Sequence, residues 1–393
     1  MYAIRLALAL AELGARVIPL CNQPKDFQER LNETLNLAEP AKGRGYRERI
    51  CQPQPVHLVP IGRGPNRRVN RLVRANRHFG IIGKQLRRWQ KQHGKKIDQV
   101  FFAWMYDDDF RDFRHAQHQF GFPWTGLYYN SRPFRMPGKA IPYTGGLSCP
   151  ERFVPLPSCR GIAVADPWII PALQSLAGPD KRVVAFPDFT DLQLEPPSGL
   201  PAKVKAMAGN RRIISLVGHL QRTKGLVEFT AALQRSELKE AFFFLGGEIY
   251  WGEIDTPTRM ALQRSWEDAP NLYCHLQRLS SEACLNQMIQ ISDVIYAAYS
   301  DFPNTSNIMT KAALLKKPIL VSDGHLMADL AKQYSLGEVA PEGDVDTIAG
   351  TLHRMIQDPY LDQAETNSGW QAFAEQHTPE RLRSALIELL ADG

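Results

Sequence analysis

The fold of this chain is decided by residues 213–231, IISLVGHLQRTKGLVEFTA. Residues 213–217 are apolar enough to predict a buried parallel strand, Gly218 allows a tight turn, and Gly225 opens a helix. Three basic side chains lie in the loop between them: His219, Arg222 and Lys224. Parallel sheets bind ligands in such loops, and the N–H groups at a helix start favour anions. The stretch therefore predicts a phosphate or diphosphate site, with an ordinary solvated basic loop as the alternative.

The segments that follow continue the alternation of strands and helices. Strands are predicted at 241–247 (AFFFLGG), 271–276 (NLYCHL), 293–296 (DVIY) and 318–321 (PILV), and helices at 281–291 and 344–359. This alternation requires a doubly wound parallel sheet and places the chain in the α/β class.

Residues 213–225 resemble the strand–Gly–Arg–Leu–x3–Lys–Gly–helix signature of GT-B glycosyltransferases of family 4, the "group 1" glycosyltransferases. Gly218, Leu220, Lys224 and Gly225 match, and His219 replaces the family's Arg, with Arg222 nearby to restore the charge. The resemblance continues in order to about residue 358. It implies a GT-B fold with two Rossmann-like doubly wound domains facing a cleft. It also implies sugar transfer from a nucleotide-diphospho-sugar, with retention and without a metal, and places Lys224 on the donor diphosphate.

One departure from the family lies in residues 299–310, YSDFPNTSNIMT. The family has two Glu eight positions apart here, but the two possible alignments give Pro303 with Lys311, or Ser300 with Ile308. The donor-binding residues expected instead are Asn304, Thr305, Ser306, Asn307 and Lys311. A cation at a helix start needs an anionic partner, which favours phosphate contact. Helix capping by the two hydroxyl residues is the alternative, and the donor and the activity stay open.

A second donor loop is expected at Asp323 and Gly324, which follow the predicted strand 318–321 and match the family's donor loop in position. Glycine lets a backbone approach a ligand closely, and a plain turn between strand and helix is the alternative. For catalysis we expect Lys224 and Arg222 to stabilise charge on the leaving diphosphate.

The acceptor site is expected in the N-terminal half. A buried strand at 99–106 runs directly into Asp107, Asp108 and Asp109. Asp107 or Asp108 is suited to binding acceptor hydroxyls or to acting as a base, and capping of a helix start is the alternative. Tyr129 and Arg132 are the other acceptor candidates, because aromatic and guanidinium groups suit sugars and phosphates; an ordinary domain surface explains them equally.

Residues 63–96 carry the main charge feature, with twelve Lys or Arg and no Asp or Glu, although the whole chain has a net charge of only +6. Two helices are predicted, at 67–77 and 83–92, with apolar residues between the charges. Such a surface attracts anionic lipid, which suits a lipid-linked acceptor. A solvated face without a partner is the alternative. No nucleic-acid motif accompanies the charges, so no specific nucleic acid partner is expected.

Length and composition set the remaining expectations. The 393 residues are divided into domains at 1–190 and 205–365, with C-terminal helices at 366–393 that return to the first domain. The chain begins at a predicted helix, so the first strand of the family is expected to be missing. Scattered cysteines and the lack of a transmembrane run or signal peptide indicate a cytoplasmic protein. No metal site and no cofactor besides the nucleotide-sugar substrate is expected. The rival functions are a non-catalytic relative that binds nucleotide or glycan, and a basic adaptor at a membrane surface.

Overall fold

A computed structural model gives the fold of the chain in two compact units. Unit 1 is Met1–Pro187 with Thr378–Gly393, and unit 2 is Asp188–His377. The structure describes residues 2–17, 19–21, 25, 28–29, 31–32, 49–50, 54–55, 67–105, 113–129, 132–135, 153–190, 192–194, 198–357, 359–361 and 367–391.

The strands are, in chain order, β1 (Leu20–Cys21), β2 (Gln54–Pro55), β3 (Val100–Met105), β4 (Trp124–Tyr128), β5 (Cys159–Val164), β6 (Arg182–Ala185), β7 (Ile213–Val217), β8 (Phe242–Gly246), β9 (Leu272–His275), β10 (Val294–Ala297), β11 (Ile319–Ser322) and β12 (Gly337–Ala340). The helices are α1 (Tyr2–Glu12), α2 (Arg67–His93), α3 (Phe113–Phe120), α4 (Arg132–Arg135), α5 (Ile170–Ala177), α6 (Gly199–Ala208), α7 (Leu226–Ala232), α8 (Thr256–Glu267), α9 (Glu282–Ile291), α10 (Asn307–Leu314), α11 (Leu326–Tyr334), α12 (Val345–Met355), α13 (Ser368–Gln376) and α14 (Pro379–Leu390).

Unit 1 is built on a four-stranded parallel sheet in the order β3-β4-β5-β6, with a separate parallel pair of β1 and β2. Helix α2 is continuous, whereas the sequence predicts a break near Gly80 and Gly83. The reason is packing: a Cβ at Gly83 would lie 2.6 Å from the carbonyl oxygens of Gln119 and Phe120. The glycine allows α2 and α3 to approach closely, and it does not end the helix.

The side chains of α2 are described from residue 78 onward. Four apolar residues of this part are buried: Phe79, Ile82, Leu86 and Trp89. The exposed residues of the same part are charged or polar, among them Lys84, Arg88 and Lys91.

Unit 2 is built on a six-stranded parallel sheet in the order β12-β11-β10-β7-β8-β9. The central strands are buried along their whole length, as expected when helices cover both faces of a sheet. Each strand predicted from residue 213 onward is present, so the α/β class with a doubly wound parallel sheet is confirmed. Parallel pairing places the carboxyl ends of all six strands at one edge, where the candidate site lies.

Two segments bear on the sequence-based division of the chain. Residues 199–208, which begin between the domains expected at 1–190 and 205–365, form α6, because Val204 and Ala208 are buried in the core of unit 2. Of the two closing helices, α13 belongs to unit 2, with Trp370 and Phe373 in that core, and α14 belongs to unit 1. No helix among the described residues is long and apolar enough to cross a membrane.

Candidate functional site

The loop after β7 passes extremely close to the loop after β8. Gly218 has φ +111°, and a Cβ at Gly247 would overlap the carbonyl oxygen of Gly218. Beyond this contact the N–H of Leu220 donates to Glu248 O at 2.9 Å, and the N–H of Tyr250 donates to Leu220 O at 2.8 Å. The tight turn predicted at Gly218 therefore has a physical cause in its positive φ, and the close approach of the two backbones requires the glycine at 247.

Gly225 ends the basic loop in a left-handed conformation, with φ +67°. A Cβ here would overlap the carbonyl oxygen of Ala298, which follows β10. Between the glycines, residues 222–224 form a single 3-10 turn. Helix α7 is only seven residues long, so the predicted anion site depends on the basic side chains more than on the start of this helix.

Lys224 is half-buried, and its amine lies over two aromatic rings. The Nζ atom is 3.8 Å from the ring centroid of Tyr299 and 4.8 Å from that of Phe302. No ion pair joins this amine to a carboxylate in the part of the chain that the structure describes. Lys224 therefore presents a positive charge, without an acidic partner among those residues, at the carboxyl edge of the sheet.

Arg222 and His219, the other two basic residues of this loop, are exposed. Arg222 acts on Asp255, the N-cap of α8. The pKa of Asp255 is lowered chiefly by the Thr258 N–H and hydroxyl that it accepts, with a further contribution from the Arg222 charge. The positive charge of Arg222 is thus partly balanced by the Asp255 carboxylate, whereas the Lys224 amine is held by aromatic rings.

The polar residues at the start of α10 face a buried carboxylate of unit 2. Thr310 donates its hydroxyl to Asp188 at 2.6 Å, and the Asn307 amide lies 3.5 Å from the other Asp188 oxygen. Burial raises the pKa of Asp188, and these two hydrogen bonds and the Lys311 charge oppose that rise. Asn307 also accepts a hydrogen bond from Thr190 at 3.2 Å. The Asn307 side chain, predicted to bind the donor, is therefore engaged by the protein itself.

The side chain of Lys311, which the sequence predicts to bind the donor, is buried inside unit 2. It is 0% exposed, and its amine donates to Asn286 Oδ1 at 2.6 Å and pairs with Glu282 at 3.1 Å. Lys311 lies in the last turn of α10, and the anionic partner that a buried cation requires is supplied from α9. The predicted donor residue is thus already bound within the protein.

The remaining donor candidates are placed as follows. Ser306 is buried at the N-cap position of α10 without a capping hydrogen bond from its side chain, and Asn304 and Thr305 are half-buried just before it. Asp323 pairs with Lys332 at 2.8 Å, which is the chief reason that its pKa is lowered. Gly324 has φ +88° with open space around it. In the second donor loop, the backbone at Gly324 is therefore open to a ligand, whereas the Asp323 carboxylate is already paired with Lys332.

Two features of this edge are absent from the sequence-based site. One is the aromatic pair that holds Lys224. The other is Glu342, which accepts the Asp301 N–H at 3.0 Å and lies 3.5 Å from His325 Nε2. The aromatic pair had a local signal, two rings three residues apart directly after a strand. No local signal in the sequence indicates the Glu342 contact, because this contact joins loops 41 residues apart.

The structure does not describe the side chains of most of the acceptor candidates of unit 1. Asp107 and Asp108 lie outside the described residues, as does the side chain of Arg132. Tyr129 is half-buried directly after β4.

A nearby feature of unit 1 is an ion pair between Arg135 and the buried carboxylate of Asp166. Asp166 also accepts the Trp168 N–H at 3.1 Å, and the guanidinium lies 5.4 Å from the Trp168 ring, which is 45% exposed. This places an exposed aromatic ring after β5. No group of three or more His, Cys, Asp or Glu among the described residues is arranged to hold a metal.

Comparison with known proteins identifies the architecture. No family model and no curated protein matches the sequence. Sucrose-phosphate synthase from Thermosynechococcus elongatus is similar in structure, with 15% identity, a TM-score of 0.66, and coverage of 99% of this chain and 91% of its own. HepE of Anabaena, solved with UDP and glucose, has 11% identity, a TM-score of 0.65, and coverage of 98% and 95%.

A UDP-forming α,α-trehalose-phosphate synthase from Burkholderia xenovorans has 15% identity, a TM-score of 0.61, and coverage of 83% of this chain and 80% of its own. At such low identity the likeness establishes the fold alone. The chain has the GT-B fold of glycosyltransferases, an α/β architecture with two Rossmann-like parallel sheets.

Proposed function

We propose that this chain is a glycosyltransferase that moves a sugar from a nucleotide-diphospho-sugar to a glycan or lipid-linked acceptor. The observation that carries the proposal is the Lys224 amine, which lies over two aromatic rings at the carboxyl edge of the unit 2 sheet, in a loop packed closely against its neighbours. This edge is where α/β sheets bind nucleotides.

In the proposed reaction, the bond between the anomeric carbon and the donor diphosphate breaks, and a bond to an acceptor oxygen forms. Lys224 stabilises the negative charge that develops on the leaving diphosphate, with Arg222 and His219 at the rim. Membership of family 4, retention of the anomeric configuration and independence of metal follow from the resemblance of residues 213–225, and belong to this proposal.

The donor is tested first by thermal shift with UDP, GDP, ADP and TDP and their sugar conjugates. A ligand at about 100 times its Kd adds roughly 2.7 kcal/mol of stability, which raises the melting temperature measurably. We expect one base to give the shift and Lys224→Met to reduce it markedly. Lys239→Met, at an exposed lysine of the same unit, should leave the shift unchanged. Equal shifts in both variants would contradict the assignment of Lys224.

Turnover is tested by release of the nucleoside diphosphate from the selected donor. The acceptor panel contains lipid-linked glycans and hexose phosphates, the latter because two of the similar structures are synthases of phosphorylated disaccharides. Proton NMR of the product reads the anomeric configuration, and EDTA-treated enzyme tests metal independence. We expect retention and unchanged turnover after EDTA.

The second candidate is a non-catalytic relative that binds nucleotide or glycan. It is favoured by Lys311, which in one of the two alignments occupies a position where the resemblance expects an acidic residue, and whose amine is bound by contacts within the protein. The two functions separate clearly: a binding protein shows the thermal shift but releases no diphosphate with any acceptor.

We also propose that the basic surface of α2 contacts anionic membrane by charge alone. Lys84, Arg88 and Lys91 are exposed at helical spacing, whereas Phe79, Ile82, Leu86 and Trp89, in the part of the helix whose side chains are described, are buried and unable to insert. Sedimentation with phosphatidylserine vesicles should be lost on raising the salt from about 0.05 to 0.3 M. Sedimentation with neutral phosphatidylcholine vesicles would contradict this.

A cytoplasmic location is part of the same proposal, supported by the free thiols of Cys159, Cys274 and Cys284.

A further inference from the structure

The loop that carries Lys224 is fixed on both sides to the loop after β10. The N–H of Ser300 donates to Thr223 O at 2.9 Å. On the other side, Gly225 packs so closely on Ala298 that a Cβ would overlap its carbonyl oxygen. The backbone of Lys224 therefore has little freedom, and the direction of its side chain is set by what that neighbouring loop presents.

That loop presents two aromatic rings. The Lys224 amine lies 3.8 Å from the centroid of Tyr299 and 4.8 Å from that of Phe302, within the range of cation–π attraction. The two rings pack edge to face, with centroids 5.3 Å apart, so they contact the amine as one unit.

The rings form a rigid support because one of them is immobile. Tyr299 is 1% exposed, and its hydroxyl lies 3.5 Å from the hydroxyl of the buried Ser306. Phe302 is half-buried and is fixed by Tyr299 on one side. The packing of the rings therefore determines the position of the amine, and the amine does not determine the position of the rings.

An aromatic support differs from a carboxylate in its effect on charge. A carboxylate would orient the lysine but would also neutralise it and compete with an incoming phosphate. A ring face attracts the cation through its quadrupole and removes no charge. Within the described residues Lys224 has no acidic partner, so its N–H donors keep their full attraction for an anion.

We infer that Tyr299 and Phe302 are positioning residues that hold the Lys224 amine at the carboxyl edge of the sheet for a donor diphosphate. The inference rests on the proposed function for the identity of the ligand, but the geometry of the lysine can be tested without any ligand.

The first experiment reads that geometry in the free protein. Reductive ¹³C-methylation preserves the charge of lysines and gives each one a methyl signal. The Lys224 signal is identified by its absence in Lys224→Arg. Ring currents should move it upfield of the exposed lysines. We expect Phe302→Leu to move it part of the way back, because the Tyr299 ring remains, and Phe302→Tyr to leave it upfield. An unshifted signal in the wild-type protein would overturn the inference whatever the ligand is.

The second experiment measures UDP affinity by calorimetry. Phe302→Leu keeps apolar volume but loses the ring face, and we expect about fivefold weaker binding, the size of one partly desolvated cation–π contact. Phe302→Tyr should bind within about twofold of wild type. In a Lys224→Met background, Phe302→Leu should cause no further loss, because the ring acts through the lysine.

The outcomes separate the inference from the proposed function. If Phe302→Leu binds UDP as tightly as wild type, or more tightly, the rings do not hold the lysine for the ligand and the inference fails alone. An equal loss in the wild-type and Lys224→Met backgrounds would show a general effect on folding, and would overturn it too. If wild type binds neither UDP nor the other diphosphates while the lysine signal is upfield, the proposed function fails and the geometric part stands.

Discussion

Replacing Lys311 with methionine tests whether this residue, predicted from the sequence to bind the donor, instead stabilises unit 2. The amine is fully buried and donates to Asn286 at 2.6 Å and to Glu282 at 3.1 Å. Methionine keeps the apolar part of the side chain and removes only the charge and its donors. The perturbation therefore isolates the polar contacts of Lys311 from its packing.

The expected cost comes mainly from the groups left behind. Asn286 is buried, and its oxygen would lose a charged donor, which costs about 1–3 kcal/mol. Glu282 is 46% exposed, so water can solvate it and its share is at most about 1 kcal/mol. Asp188 loses a neighbouring positive charge and becomes harder to ionise. We expect a total loss of about 2–4 kcal/mol in the free energy of unfolding.

Urea unfolding followed by circular dichroism measures this loss, and Glu282→Gln is the matched control, with an expected loss under about 1 kcal/mol. UDP affinity is measured on the same samples and should be unchanged in Lys311→Met at temperatures where the variant is folded. The reasoning is refuted if Lys311→Met unfolds like wild type but binds UDP more weakly. That result would return Lys311 to the donor site.

Three further predictions concern the same unit. Gly225→Ala should cost about 1–3 kcal/mol in urea unfolding and weaken UDP binding, because it combines a left-handed backbone with overlap on Ala298; unchanged stability would show that the two loops separate freely. Burial lowers the pKa of His377 from 6.5 to about 4. The unfolded chain therefore binds the extra proton first, and the free energy of unfolding should fall by about 2–3 kcal/mol as the pH drops from 6.5 to 4. His377→Asn should remove that fall. The variant and the wild-type protein are compared at each pH, so that the opposite contribution of Asp188 cancels. Identical dependence of the free energy of unfolding on pH in the two proteins would refute the assignment to His377. Thr310→Val removes the 2.6 Å donor to the Asp188 carboxylate and should lower the melting temperature by an amount equivalent to about 2 kcal/mol; a neutral result would show that this hydrogen bond does not stabilise the fold.

The features predictable from sequence are those in which cause and effect are close along the chain. The strand 213–217 is predictable because all its residues except Ser215 are apolar, and Gly218 marks its end. The aromatic strand β8 was clear for the same reason. The place of the candidate site followed from topology, since carboxyl ends of parallel strands share one edge.

The features that sequence did not predict depend on distant partners. Lys311 looked like a ligand group because Glu282 and Asn286 lie on another helix, and nothing local indicates that they face it. Asn307 looked free because its partner Asp188 is 119 residues away. Gly83 read as a helix end because its close approach to α3 is a tertiary contact. In each case packing decided between two local possibilities that were equally good.

The contact between Asp188 and His377 has a consequence for chain connectivity. These residues are the first and last of unit 2, and the N–H of Asp188 donates to His377 Nδ1 at 3.1 Å. Unit 2 is therefore an insertion in the sequence of unit 1 whose entry and exit are adjacent. Domains with adjacent ends tolerate excision, transplantation and circular permutation. We expect residues 188–377 to fold as a separate fragment that carries the whole Lys224 loop and its aromatic support into another host protein.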